Sequence, residues 1–99
     1  NDVKQDFRNP SSPTVATELV GTSIASAGVP YEMFAAMLPD NPHVKFFDSR
    51  QRGYILCEAT RASLSADLRT VEDVRAVSTT GGSLGKFVIE AGRPGAVKA

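Results

Sequence analysis

The residues best suited to chemistry in this chain are few. His43 is the only histidine and Cys57 the only cysteine. A thiol nucleophile would need the two side chains in contact and a lowered thiol pKa. Nothing local to Cys57 supplies that, and Tyr54-Ile55-Leu56 in front of it marks a buried, inert cysteine. The same two residues lie in separate strand-like segments, so a zinc site is poorly supported. No EF-hand or His-Glu-x-x-His spacing occurs, and no Gly-x-Ser-x-Gly elbow presents a serine. Gly81-Gly82-Ser83-Leu84-Gly85 is glycine-rich enough to suggest a phosphate cradle. It precedes a strand pattern rather than a helix, and no Gly-Lys-Ser/Thr follows, so a flexible hairpin is the better reading. Arg50 and Arg52 beside Gly53 could grip a phosphate in bidentate fashion. With Asp48 next to them, a solvated hairpin tip is the commoner arrangement. RNA binding through Phe46, Phe47 and Tyr54 would need a positive face. Eleven Lys+Arg balance eleven Asp+Glu, so there is no field to draw nucleic acid or an anionic membrane.

The elements that must carry these residues follow from pattern. Residues 1–13 are polar and interrupted by Pro10 and Pro13, which predicts a loop. Thr14–Val20 is β-branched and reads as a strand, running into the small residues Gly21–Gly28. Pro30 suits a first helical position, and Met33, Phe34, Met37 and Leu38 share one face of a short helix of about two to three turns. Pro39 and Pro42 end it, and core packing is the expected fate of its apolar face. His43–Asp48 reads as a strand, Asp48–Gly53 as a hairpin connection, and Tyr54–Thr60 as a strand buried on both faces at one end. Residues 62–74 fit both periods; the neighbouring strands and Thr70-Val71 favour a strand. Ser78–Ser83 reads as a loop, Gly85–Ala91 as a final strand, and Gly92–Gly95 as a turn. The fold class expected is mainly β with one short helix, its strands antiparallel, over residues 1–95, with a disordered tail at 96–99.

At 99 residues and 41% hydrophobic, the chain amounts to one small domain or a piece of one. One cysteine rules out an internal disulfide framework. The longest apolar runs are about four residues, far from the roughly 20 of a membrane helix. Asn1-Asp2-Val3-Lys4 is neither a start methionine nor a signal peptide and reads as the middle of something longer.

One block is more specific. Asn41-Pro42-His43-Val44-Lys45-Phe46-Phe47-Asp48, followed by Arg52-Gly53-Tyr54, resembles the C-terminal region of the PhoD-like alkaline phosphatases and phosphodiesterases. So do Asp6-Phe7 through Ser12-Pro13 and on to Ile24, in the same order and spacing. Ala66–Val74 and Phe87–Gly95 are similar to that family's last two strands. The resemblance implies a metallophosphoesterase-type β-sandwich, within a layered αββα catalytic domain that holds iron and calcium. Such enzymes are exported by bacteria, to the periplasm or beyond. It further implies metal ligands mostly upstream, ending in a Gly-Asp-x-His motif that this chain lacks. On that reading the segment holds no catalytic residue and binds no metal itself. Gly21, Thr22 and Ser23 would pack beneath or beside the site, and Asn41 and His43 would support it or belong to a core network. The helix between Gly28 and Pro39 is shorter and less polar than the family pattern.

The expectation is therefore a C-terminal piece of a phosphate-ester hydrolase, inactive alone. Its partners would be the upstream catalytic part of the same chain and a phosphate ester, with no stable nucleic-acid partner and no membrane span. A sheet cut from a sandwich could also associate with itself through open edges. The rival from another class is an independent β-rich binding module, which would show a complete, self-covered core.

Overall fold

The computed structural model describes residues 1–23, 26, 28–71 and 81–99. The chain is mainly β with one short helix, as the patterning indicates. In order it forms β1 (Asp2–Lys4), β2 (Thr14–Thr17), α1 (Tyr31–Ala35), a 3-10 turn (Leu38–Asp40), β3 (Arg52–Ala59), β4 (Ser63–Val71), β5 (Gly81–Glu90) and β6 (Arg93–Lys98). Strands β3-β4-β5-β6 make an antiparallel meander, and β1 and β2 pair separately.

Local chemistry explains the turns. Between β3 and β4 the Thr60 hydroxyl accepts from the amides of Ala62 and Ser63 at 3.2 and 3.1 Å, while Thr60 N donates to the Ser63 carbonyl at 2.8 Å. A threonine hydroxyl folding over its own turn in this way fixes a short hairpin. Between β5 and β6 only Ala91 and Gly92 intervene, and Gly92 takes φ +76°, a conformation that costs a side-chain-bearing residue. In the loop joining β1 to β2, the buried Ser12 hydroxyl donates to the Asp6 carbonyl at 2.8 Å and accepts from the Asp6 amide at 3.2 Å.

The register sorts the meander into two faces. Ile55, Leu68 and Gly85 share one face with Cys57, Ala66 and Phe87 and with Ala59, Leu64 and Ile89. The other carries Tyr54 and Arg69, Leu56, Asp67 and Lys86, and Glu58, Ser65 and Val88. The apolar face is covered by the irregular segments around residues 18–23 and 44–49. The rings of Phe46 and Phe87 meet edge to face at 5.3 Å, and a Cβ on Gly21 would touch Ile55 at 3.9 Å. The β1–β2 pair is tied on by Gly95 N donating to Thr17 Oγ1 at 3.0 Å and Asp2 N donating to the His43 carbonyl at 2.7 Å.

That cover is thin. The molecule measures 45 × 36 × 17 Å with a radius of gyration of 14.9 Å, against about 13 Å for a compact chain of this length. It exposes 7034 Å² of surface, where a compact monomer of its mass exposes about 5,400 Å². Among the described residues Ala66 is the only fully buried apolar side chain, at 1% exposure.

Several expectations from the pattern are corrected. His43–Asp48 joins no ladder: His43 sits in a turn closed by Val44 N donating to the Asn41 carbonyl at 3.0 Å, and the irregular stretch after it places Phe46 on Phe87 and Phe47 on Tyr31. The helix has five residues because Pro39 converts the continuation into a 3-10 turn, and Pro30 stands one position before it in extended backbone. Met33, Phe34 and Met37 are exposed rather than core; α1 buries no residue and rests on the cover through the rings of Tyr31 and Phe34 against Phe47. Cys57 is exposed, because β3 is an edge strand with cover on one end only. Residues 1–13 include β1, and β5 starts at Gly81, inside the expected loop. The expected tail at 96–99 is not one: Ala96, Val97 and Lys98 belong to β6, and Ala99 N donates to the Lys86 carbonyl at 2.9 Å. The expected strand over 62–74 is β4 as far as Val71, and 72–80 lie outside the described residues.

Candidate functional site

Between the cover and the sheet lies a cavity of about 650 Å³. It is half open to solvent and largely apolar with a few polar groups, the usual form of a ligand site, so it is the first place to look for chemistry. Val20, Phe34, Phe46, Ile55, Leu68 and Phe87 supply much of its wall. Its polar residues include Glu18, Thr22, Ser23, Asn41, Lys45, Asp48 and Ser49, and Arg52 at the start of β3.

Arg52 is the central polar residue. It is 9% exposed, and its Nη1 donates to Ser23 Oγ at 2.5 Å while its Nη2 donates to the Ser49 carbonyl. Ser23 Oγ passes a hydrogen bond on to the Ser26 carbonyl at 2.9 Å, and the buried Ser49 hydroxyl donates to the Val29 carbonyl at 2.8 Å. The guanidinium thus stitches Ser23 to Ser49 and the base of β3. Gly28 makes this closeness feasible: a Cβ there would collide with both terminal nitrogens of Arg52.

Its neighbour Arg50 behaves differently. Arg50 is exposed, lies 4.1 Å above the Tyr31 ring, and holds Asp48 through Nε at 3.0 Å and Nη2 at 2.7 Å. Tyr31 in turn stacks on Phe47 at 5.9 Å. The hydrogen bond from Arg50 holds the Asp48 carboxyl below the usual carboxylate range, against the opposing effect of burial. On the opposite face of the sheet the Ser83 hydroxyl, at 2.5 Å, and then Arg69 lower Asp67 in the same way.

The residues marked from sequence separate into two groups. Gly21, Thr22, Ser23 and Asn41 all lie on the cavity wall. Asn41 Nδ2 donates to the Met37 carbonyl at 2.9 Å, closing the end of the 3-10 turn. His43 stands apart, half-buried, with its ring edge-on to Phe7 at 5.0 Å. Sequence reasoning grouped Arg52 with Arg50 at a solvated tip and passed over Ser49. The spacing Ser49-x-x-Arg52, a turn ahead of a strand, is the one signal that could have separated them. Among the described residues no group of three or more His, Cys, Asp or Glu could hold a metal ion, and the best-placed carboxylate, Asp48, is taken by Arg50. These residues do not fit an iron or calcium site.

The model of the PhoD-like phosphatase family matches residues 1–68. The chain belongs to that family. Alkaline phosphatase D of Bacillus subtilis strain 168 is 39% identical over 69 residues, 67% of this chain and 12% of that protein. A solved structure described as the structure of PhoD superposes with a TM-score of 0.84 at 31% identity, over 99% of this chain and 19% of that one. The chain therefore spans less than a fifth of the length of these PhoD-like relatives. The family match takes in the cover segments, Arg52 and β3, while the structural match extends to β5 and β6.

Proposed function

We propose that this chain is the C-terminal β-rich part of a PhoD-like phosphate-ester hydrolase, an alkaline phosphatase or phosphodiesterase, and that it acts there as a scaffold. Its cover segments and sheet would buttress an active site whose water-activating and metal-holding groups come from the rest of the polypeptide. Iron and calcium would be the metals, and the enzyme would work in the periplasm or outside the cell. The observation that carries this reading is the family match over two thirds of the chain, joined to the superposition of 99% of it on a PhoD structure. Metal-assisted hydrolysis needs a fixed ligand set with an open position.

The thin, 17 Å slab with Ala66 as its one fully buried apolar residue among those described supports a segment over a self-covered binding module. Among the described residues no helix is long and apolar enough to cross a membrane. The test is to assay the 99-residue chain and the longer polypeptide that carries it on a chromogenic phosphate monoester and diester, with iron and calcium supplied. Turnover by the longer polypeptide alone is expected. Robust turnover by the 99-residue chain overturns the scaffold role, and none by the longer polypeptide overturns the hydrolase reading.

A further inference from the structure

We propose that Arg52 anchors an oxyanion-binding site in the cavity, fitted to a phosphate group. Only the choice of phosphate leans on the hydrolase reading; the buried cation stands without it. Lys45, Arg52 and Arg69 border the cavity, Arg69 with its side chain on the opposite face of the sheet beside Asp67. Lys45 faces Asp2 at 3.7 Å and Arg69 faces Asp67 at 3.3 Å. Arg52 alone of the three has no carboxylate within 4.0 Å among the described residues, although it is the most buried. Asp48, the nearest in sequence, is committed to Arg50 at 2.7 Å.

A guanidinium carries five N–H donors. Arg52 spends two of them, both on neutral oxygens, Ser23 Oγ and the Ser49 carbonyl. A charge withdrawn from water is costly unless a counter-charge replaces the lost hydration. Glu18 and Asp48 also border the cavity of about 650 Å³ beside Arg52, but no carboxylate among the described residues comes within 4.0 Å of the guanidinium. Thr22 also borders the cavity and carries a hydroxyl, whereas the single Ser23 O–H is already given to the Ser26 carbonyl. A planar carboxylate is satisfied by the guanidinium fork alone, whereas a tetrahedral oxyanion also uses hydroxyl donors outside that plane. The donor set therefore favours phosphate.

Binding is measured directly by titrating inorganic phosphate, sulfate and acetate at constant ionic strength. Calorimetry reads the affinity, and the Arg52 Nε–H resonance of the 99-residue chain reads the place. Phosphate and sulfate should bind at least about tenfold more tightly than acetate and move that resonance saturably. Arg52→Lys, which keeps the charge but loses the fork, should weaken phosphate about tenfold or more when measured well below its own melting temperature, which the loss of the two hydrogen bonds is expected to lower. If Arg52→Lys does not fold, the wild-type resonance still decides. An unmoved Arg52 Nε–H, acetate binding as tightly as phosphate, or unchanged affinity in Arg52→Lys overturns the proposal. Each readout is independent of turnover, so a failed hydrolase assay and a failed oxyanion site are separate results.

Discussion

Gly28 lies directly over the guanidinium of Arg52, so closely that a β-carbon there would collide with both terminal nitrogens and come within 2.6 Å of the Ser49 carbonyl. The guanidinium is the flexible end of a long side chain, but the carbonyl is backbone and cannot yield. Gly28→Ala is expected to destabilise by about 1–3 kcal/mol, the usual range for overpacking. Urea unfolding checks this, and a midpoint equal to wild type would mean that the Gly28–Arg52 contact is not tight. Because Arg52 must move, the same substitution should also weaken phosphate binding in the titration above.

The three glycines Gly53, Gly28 and Gly92 should rank in that order when changed to alanine. A Cβ at Gly53 meets the Arg69 carbonyl within the β3–β4 ladder, where both partners are backbone, so about 2–4 kcal/mol is expected. At Gly92 nothing lies within 4 Å, but φ is +76°, so only the left-handed backbone cost of about 1–2 kcal/mol applies. Melting temperatures of the three variants test the order. A Gly92→Ala variant less stable than Gly53→Ala would contradict it.

Asp48 makes part of the stability dependent on pH. Its carboxyl is held below the usual range, first by the hydrogen bond from Arg50. A group depressed on folding stabilises above its unfolded pKa, about 3.9, and that contribution is lost as pH falls through the folded value. Asp48→Asn should therefore be less stable than wild type near neutrality, by about 1 kcal/mol or less, since the partner is on the surface. The gap should hold down to about pH 4 and close below it. A gap that widens as pH falls would exclude the pairing as its source.

The sequence showed β3 to β5 of the meander well, but not β6, and showed the cover poorly, for a physical reason. Strands β3 to β5 advertise themselves through β-branched and alternating residues, and the ambiguous run from Ala62 resolved as β4 because its neighbours pair with it. His43–Asp48 has the composition of a strand but spends its rings on Phe87 and Tyr31 rather than its backbone on a ladder. Composition cannot distinguish those uses. Likewise Arg50 and Arg52 differ by two positions and by opposite fates, one stacked in solvent on Tyr31 and the other buried under Gly28. That difference depends on a residue 24 positions away in sequence from Arg52, so no local pattern could reveal it. Of the residues marked from sequence, Gly21, Thr22, Ser23 and Asn41 border the cavity and His43 does not.

Cys57 gives the sharpest test of how open that sheet is. It pairs with Ala66 across β3 and β4, and Ala66 is fully buried because a strand flanks it on each side, with Phe87 opposite. Cys57 has a strand on one side only and is exposed. A thiol reagent should thus modify one cysteine per folded chain without denaturant, within about tenfold of its rate in unfolded protein. A rate rising by orders of magnitude on denaturation would show that β3 is covered in solution, as it would be in a self-associated form. In the longer polypeptide the scaffold reading expects the opposite of the 99-residue chain: packing against β3 should slow the labelling strongly. Equal rates in the two would mean that the rest of the protein leaves this edge free and meets the sheet elsewhere.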